Sequence, residues 1–209
     1  WGCQAFERFN GMFSFTIFDK KKNKLIAVRD YAGIKPLYYS FQNDSFIFCS
    51  EVRGFKIYDP NWQKNPNWDA LFLTFGFIPQ PYTTLKNVLS LSKGSYLIID
   101  TRTGKHEEKK YKQFFFENLI NKEKDAIELV RSIVKESISR NMISDAPLGI
   151  FLSGGIDSSL IALLADSMGH KDLTTLSVTF NERLFDESSY QKIIIDKMRP
   201  HKHINQNVN

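Results

Sequence analysis

The chain has 209 residues, of which 42% are hydrophobic and 24% are charged, and this balance is typical of a globular protein. The composition excludes a disordered tail, and the length allows one full domain or two small ones. The net charge is +5, but the basic residues are spread along the chain, so we expect anionic ligands and no nucleic-acid partner.

The low cysteine content indicates a reducing compartment, and the cysteines and histidines do not form a metal-binding pattern. Cys3 and Cys49 are too few for a secreted disulfide scaffold. His201 and His203 share a strand face but lack a third ligand, so we expect no metal site there. No apolar run reaches the about 20 residues of a membrane helix. We predict a cytoplasmic protein with no membrane partner, and the start at Trp1 leads us to expect an internal part of a longer chain.

The first fifty residues predict an antiparallel sheet that packs on another layer. Short Phe-rich runs alternate with turn signals, and Phe13, Phe15 and Ile17 alternate with smaller or more polar neighbours. The predicted strands are residues 11–19, 24–29, 37–41 and 45–50.

The middle of the chain contains two predicted helices and a further β pair. A short helix is predicted at 68–75 between prolines, and the β pair lies around residues 95–100. Residues 122–142 predict a long amphipathic helix because apolar side chains fall on one face. That face contains Ala126, Ile127, Val130, Ile133, Val134 and Ile138.

From residue 148 onwards, predicted strands alternate with predicted helices. This order favours a parallel sheet with crossover helices. The strands are residues 148–152, 173–180 and 203–208, and the helices are 157–168 and 186–198.

The strongest chemical signal lies where the first of these strands meets its helix. Two glycines permit a tight turn, and helix-start amides and serine hydroxyls can donate to phosphate oxygens. Asp157 can hold Mg²⁺ beside such a phosphate. The segment lacks the Lys of a Walker A loop, so we predict that it binds pyrophosphate rather than the γ-phosphate. Because the strand, the glycines, the acid and the paired serines occur together, we favour this site over an ordinary helix-capping turn. The run is Leu152, Ser153, Gly154, Gly155, Ile156, Asp157, Ser158 and Ser159.

This SGGxDS run resembles the signature loop of N-type ATP pyrophosphatases, and the flanks at 140–149 and 176–188 are similar to those of asparagine synthetases. Residues 11–39 resemble the second half of a class II glutamine amidotransferase domain, and residues 74–94 resemble the linker that follows it. The chain therefore resembles the glutamine-hydrolysing asparagine synthetase family over nearly its whole length.

The resemblance implies a two-part architecture. An α+β layered amidotransferase domain of the N-terminal nucleophile type, second half only, precedes the first part of an α/β parallel-sheet ATP pyrophosphatase domain. The implied regions are an amidotransferase half at 1–57, a linker and β connecting region at 58–121, and the synthetase part at 122–209. The family's nucleophilic Cys and oxyanion hole would lie upstream, so we expect no catalytic residue and no activity in this chain alone.

The resemblance also implies a carbon–nitrogen ligase reaction. Aspartate would be adenylated by ATP to β-aspartyl-AMP with release of pyrophosphate, and ammonia from glutamine, or free ammonia, would displace AMP. Residues 153–159 would bind the pyrophosphate of ATP, with Asp157 on Mg²⁺. Backbone groups of Leu152 and of Val178, at the end of the second strand, would hold the nucleotide. The full-length protein is expected to be a homodimer.

Two alternative functions remain open at this point. A paralogue that amidates another carboxylate, such as a sugar acid or a β-lactam precursor, would have the same ATP site. A truncated, non-catalytic nucleotide-binding module would also keep that loop.

Five further polar residues have two interpretations each. Arg29, Asp30 and Lys35 either line a route between domains or stabilise a turn, and we favour the turn. Asp186 and Glu187 precede a predicted helix, so we favour helix capping over catalysis.

Overall fold

The computed structural model describes residues 1–42, 45–112, 120–169, 173–182, 184–199 and 202–208. The chain forms two compact units, Trp1–Phe116 and Glu117–Asn209. Within the described ranges, none of the helices combines the length and apolar character that crossing a membrane requires.

The first unit is rich in β-strands and opens with a 3-10 helix at Gly2–Arg8. Its strands are β1 (Ser14–Asp19), β2 (Lys24–Arg29), β3 (Tyr38–Gln42), β4 (Ser45–Cys49), β5 (Leu89–Ser90), β6 (Ser95–Asp100) and β7 (His106–Lys110). Its helices are α1 (Arg53–Tyr58) and α2 (Trp68–Phe75). The predicted strands and the helix at 68–75 are confirmed, whereas α1 and the 3-10 helix were not predicted because both are too short to show a period.

These strands form two antiparallel sheets, with the orders β1-β2-β6-β7 and β4-β3-β5. The expectation of one sheet for the first four strands is therefore wrong. Turn signals identify each hairpin, but they do not determine whether two successive hairpins join the same sheet. The chain leaves the first sheet after β2 and enters the second at β3.

A shared apolar core joins the two sheets face to face. It contains Ala27, Leu37, Leu91, Leu97 and Ile99, with Leu25, Tyr39, Phe46 and Phe48 packed at its border. A second cluster, Phe55, Trp62, Leu85 and Val88, covers the other face of the β4-β3-β5 sheet and includes α1. The unit is therefore layered, as expected for an α+β domain.

The predicted alternation along β1 is only partly correct. The rings of Phe6 and Phe9 pack on Phe15 and Phe13 at centroid distances of 6.0 and 5.5 Å. Ile17 lies further along this edge strand and is 45% exposed. The 3-10 helix thus covers the start of β1 and leaves the expected third buried position open to solvent.

A buried guanidinium links β2 to the turn that follows it and to β5. Arg29 is 5% exposed. Its Nε donates to the carbonyl of Lys35 at 2.9 Å, and its Nη2 donates to the carbonyl of Gly33 at 2.8 Å. Its Nη1 donates to Ser90 Oγ at 2.8 Å and to the Leu91 carbonyl at 2.7 Å.

The neighbouring carboxylate of Asp30 is fully buried and organises the same turn. It accepts hydrogen bonds from the amides of Ile34 and Lys35 at 2.9 Å and from that of Phe13 at 3.3 Å. Burial raises the pKa of Asp30, but these amides together with that of Gly33 outweigh it and hold the pKa below its usual value.

The side chain of Tyr111 closes this network. Its hydroxyl donates to the carbonyl of Arg29 at 2.9 Å. Burial, followed by the nearby charge of Asp30, raises the pKa of Tyr111 to about 12. The turn interpretation of Arg29 and Asp30 is therefore confirmed, and Lys35 contributes its backbone groups to the same turn.

The second unit alternates helices and strands as predicted. Its elements are α3 (Glu123–Asn141), β8 (Gly149–Phe151), α4 (Ile156–Ser167), β9 (Thr174–Phe180), α5 (Ser188–Ile195) and β10 (Lys202–Val208). The three strands form a parallel sheet in the order β10-β9-β8, which confirms the expected parallel arrangement. The core of this unit contains Ile138, Met142, Leu152, Ala162, Ala165, Leu173 and Met198.

The predicted apolar face of α3 is buried only in its second half. Val134 and Ile138 pack on the core of the unit. Ile127, Val130 and Ile133 are 50%, 59% and 54% exposed. The predicted amphipathic helix is confirmed, and within the described part of the unit only the second half of its apolar face packs on the core.

Arg29→Lys should lower the free energy of unfolding of the first unit by about 2–4 kcal/mol, because one ammonium cannot reach all four acceptors of the guanidinium. The measurement is chemical denaturation followed by tryptophan fluorescence. All three tryptophans, Trp1, Trp62 and Trp68, lie in this unit.

The matched control is Arg102→Lys, in the exposed turn between β6 and β7. It should change the free energy of unfolding by no more than about 0.5 kcal/mol. A similar small change for Arg29→Lys would show that the buried network does not stabilise this unit.

Candidate functional site

The segment 153–159 joins the end of β8 to the first turn of α4. β8 ends at Phe151, and α4 begins at Ile156 with Gly155 as its N-cap. The loop therefore lies at the carboxyl end of a parallel strand, where open α/β sheets bind ligands. The first amides of α4 have no intrahelical partner, so they are available to an anion.

Gly154 is required both by the backbone conformation of the loop and by its packing. Its φ is +86°, which is the left-handed region. A Cβ there would lie 3.0 Å from Cβ of Tyr190 and 3.2 Å from the carbonyl oxygen of Glu187. Gly155 has an ordinary φ of −70°, and a Cβ on it would meet Ser153 Oγ at 3.4 Å, which is normal contact. The loop thus packs directly on α5 only because residue 154 has no side chain.

Two of the predicted serine hydroxyls shape the loop from within. Ser153 Oγ and Ser158 Oγ lie 2.9 Å apart. The amide of Gly155 donates to Ser153 Oγ at 3.3 Å, and Ser158 Oγ donates to the Gly155 carbonyl at 3.2 Å. Ser159 contributes its amide, which makes the first helical bond of α4 to the Gly155 carbonyl at 3.1 Å. These bonds hold the loop in a compact turn.

Asp157 is an exposed acid in the first turn of α4. Among the described residues, no group of three or more acidic, His or Cys side chains could hold a metal ion. Asp157 offers one carboxylate, and Mg²⁺ commonly takes one or two carboxylates and completes its shell with substrate phosphates and water. The side chain of Ile156 beside it is 86% exposed.

Leu152 and Ser177 connect the end of β8 to β9. The amide of Leu152 donates to the carbonyl of Leu176 at 2.7 Å, and Ser177 Oγ donates to the carbonyl of Leu152 at 2.8 Å. The pairing of β9 with β8 ends at Leu176, but its pairing with β10 continues to Phe180. The predicted strand end at Phe180 is therefore confirmed, and Val178 lies two residues before it, beyond the part of β9 that pairs with β8.

Gln191 is a polar residue of this region that the sequence analysis missed. It is 3% exposed, and its Nε2 donates to the carbonyl of Val178 at 3.0 Å. The available signal was its position, since Gln191 precedes Ile194, Ile195 and Met198 at the spacing of one helix face. A polar residue in an apolar helical register predicts a buried hydrogen bond.

Asp186 stabilises the connection between β9 and α5. Its carboxylate accepts a hydrogen bond from the Ser188 hydroxyl at 2.6 Å and from the Phe180 amide at 3.3 Å. The bond from Ser188 lowers the pKa of Asp186 despite partial desolvation. Glu187 occupies the N-cap position of α5 but makes no side-chain capping bond. The structural interpretation is thus supported for Asp186, while the side chain of Glu187 does not cap the helix.

The predicted histidine pair is only partly described. His201 lies outside the described residues, and His203 Nδ1 is 2.9 Å from Thr175 Oγ1. Cys3 lies in the 3-10 helix of the first unit as a free thiol.

Sequence models of two protein families match the chain in succession. Residues 1–112 match the glutamine amidotransferase domain, and residues 129–207 match asparagine synthase. The chain belongs to the glutamine-hydrolysing asparagine synthetase family. An amidotransferase domain followed by the start of an asparagine synthase domain is the order expected for this family from the sequence.

Several curated proteins are similar to this chain over most of its length. A putative glutamine-hydrolysing asparagine synthetase 2 of Methanocaldococcus jannaschii is 37% identical over 97% of this chain and 40% of its own length. Asparagine synthetase 1 of Bacillus subtilis is 34% identical over 90% of this chain and 30% of its own length. Amidase chyE of Penicillium rubens is 29% identical over 80% of this chain and 25% of its own length. The chain thus spans at most 40% of these relatives.

Gly154→Ala should destabilise the loop more than Gly169→Ala destabilises its own turn, although the two glycines have nearly the same positive φ. The positive φ costs about 1–2 kcal/mol for alanine, and forcing a methyl group against α5 adds about 1–3 kcal/mol. Hydrogen exchange of peptides covering residues 149–167 measures the local opening free energy.

The control is Gly169→Ala, because Gly169 has a φ of +85° but no heavy atom within 4 Å of an added Cβ. It should show only the cost of the strained φ. Equal losses in the two variants would contradict the close packing of the loop on α5.

Proposed function

We propose that the full-length protein is an ATP-dependent asparagine synthetase that uses glutamine as its nitrogen donor, and hence a carbon–nitrogen ligase. The observation that carries the proposal is the Ser153–Ser159 loop at the carboxyl end of a parallel strand, in a chain whose preceding half matches a glutamine amidotransferase domain. The proposal also includes an amidotransferase half that ends at residue 57 and a connecting region that ends at residue 121. It further includes a homodimeric full-length protein.

The loop would bind the pyrophosphate portion of ATP. The free amides at the start of α4 donate to phosphate oxygens, and the positive end of the helix dipole favours their charge. The serine pair keeps the loop compact, so little reorganisation is needed when the anion arrives. Asp157 would hold Mg²⁺, which when bound neutralises charge on the departing pyrophosphate.

The nucleotide base would rest on backbone groups of Leu152 and Val178. Leu152 immediately precedes the loop, and Val178 lies two residues beyond the last β9 residue that pairs with β8. The side chain of Leu152 is 1% exposed and belongs to the core, so only its backbone can serve a ligand.

The proposed reaction has two steps. A carboxylate oxygen of aspartate attacks the α-phosphorus of ATP, an acyl–phosphate bond forms, and the bond to the β-phosphate breaks to release pyrophosphate. Ammonia from glutamine then attacks the acyl carbon, and AMP leaves with its bonding electrons while the nitrogen loses a proton. Loop donors that bind the departing pyrophosphate more tightly than bound ATP accelerate the first step.

A second candidate is amidation of a different carboxylate. The observation in its favour is the similarity to two fungal proteins named amidases, chry2 and chyE, each 29% identical to this chain. The ATP loop would act in the same way, and only the carboxylate acceptor would differ.

The decisive assay is pyrophosphate release from MgATP in the presence of aspartate and ammonia, with a protein extended to the length of its relatives. Release should depend on aspartate, and Asp157→Asn should lower it at least about 100-fold, because charge stabilisation worth several kcal/mol is lost.

Asp125→Asn is the matched control, since Asp125 is also an acid in the first turn of a helix, α3. It should keep the parental rate. Release with another carboxylic acid but not with aspartate would favour the second candidate. A loss of activity in Asp125→Asn equal to that in Asp157→Asn would contradict the role given to Asp157.

A further inference from the structure

One turn of α5 contacts both parts of the proposed nucleotide site. A Cβ on Gly154 would lie 3.2 Å from the carbonyl oxygen of Glu187 and 3.3 Å from the amide nitrogen of Gln191, so the loop packs on this turn. From the same turn, Gln191 Nε2 reaches the carbonyl of Val178 at 3.0 Å. The pyrophosphate loop and the base-binding strand therefore share one support.

The bond of Gln191 is made in a buried setting. Its side chain is 3% exposed, and Ile194, Ile195 and Met198 of the same helix region pack in the apolar core. An amide buried without a hydrogen bond is costly, so the bond to Val178 determines where the side chain and the strand can lie.

Ser177 makes a similar buried hydrogen bond to the second proposed base-binding segment, at Leu152. It is also 3% exposed, and its hydroxyl donates to the carbonyl of Leu152 at 2.8 Å. Each backbone carbonyl has two lone pairs, so one can accept the buried side chain while the other remains for a ligand. Both proposed base-binding segments are thus held by a buried donor.

We propose that Gln191 and Ser177 are positioning residues that set the distance and direction of the Leu152 and Val178 backbone relative to the pyrophosphate loop. The inference rests on the proposed function, because it assumes that this backbone binds the base. Both side chains are 3% exposed and donate to backbone carbonyls, so they would act through the backbone groups that they hold.

The test compares two ligands that share the loop but not the base. Calorimetric titration of the full-length protein with MgATP and with inorganic pyrophosphate gives the two dissociation constants. Gln191→Met and Ser177→Ala should each weaken ATP binding about five-fold, as expected for the loss of one hydrogen bond. Pyrophosphate binding should stay within about two-fold of the parent. Lys192→Met, on an exposed position of the same helix, should change neither constant.

The two ligands separate positioning from simple structural support. Equal weakening of both ligands would show that the residues only stabilise the fold, and unchanged ATP binding would show that the bonds do not matter; either result overturns the inference. If Gln191→Met does not fold, the smaller change Ser177→Ala decides by the same criteria. Failure of the parent protein to bind ATP would instead contradict the proposed function on which the inference rests.

Discussion

The close contact between Gly154 and the first turn of α5 is the constraint on which the candidate site depends. A side chain there would press on the helix, because even a Cβ would lie 3.0 Å from Tyr190 Cβ, which is tighter than most Cβ contacts. The contact places the loop against a helix that also holds β9 through Gln191. The loop amides, the β8 end and the middle of β9 therefore belong to one rigid arrangement rather than to three independent segments. In the proposed function this arrangement would hold the phosphate site and the base site at a fixed separation, which favours one bound conformation of a flexible nucleotide.

The first unit is stabilised in a different way. Its two sheets share an apolar core, but the turn between β2 and β3 is built on the buried charged side chains of Arg29 and Asp30. Their hydrogen bonds go mostly to backbone groups of the unit itself, so these residues serve its architecture. Burial and full hydrogen bonding explain why charged residues are found where apolar ones would be expected.

Local patterns predicted most elements, whereas long-range relations required the structure. The alternation of strands and helices after residue 148 and the glycine loop are encoded within a few neighbouring positions, so the parallel sheet and the candidate loop could be predicted. Assignment of β3 to a second sheet, and exposure of Ile127 on α3, depend on packing partners distant in sequence. The helical register of Gln191 indicates burial, but its partner Val178 lies thirteen residues away on another element, so the identity of its bond required the structure. Arg29 had two interpretations until its burial was known.

Hydrogen exchange of the full-length protein with and without MgATP would show whether the loop at residues 153–159 binds the phosphates of ATP, as we propose. We expect slower exchange in peptides covering 151–160 and 176–191, because free loop amides would donate to phosphate and the base would rest on the adjoining strand. Binding of MgATP, shown by calorimetry, without any slowing of exchange in these peptides would contradict this proposal.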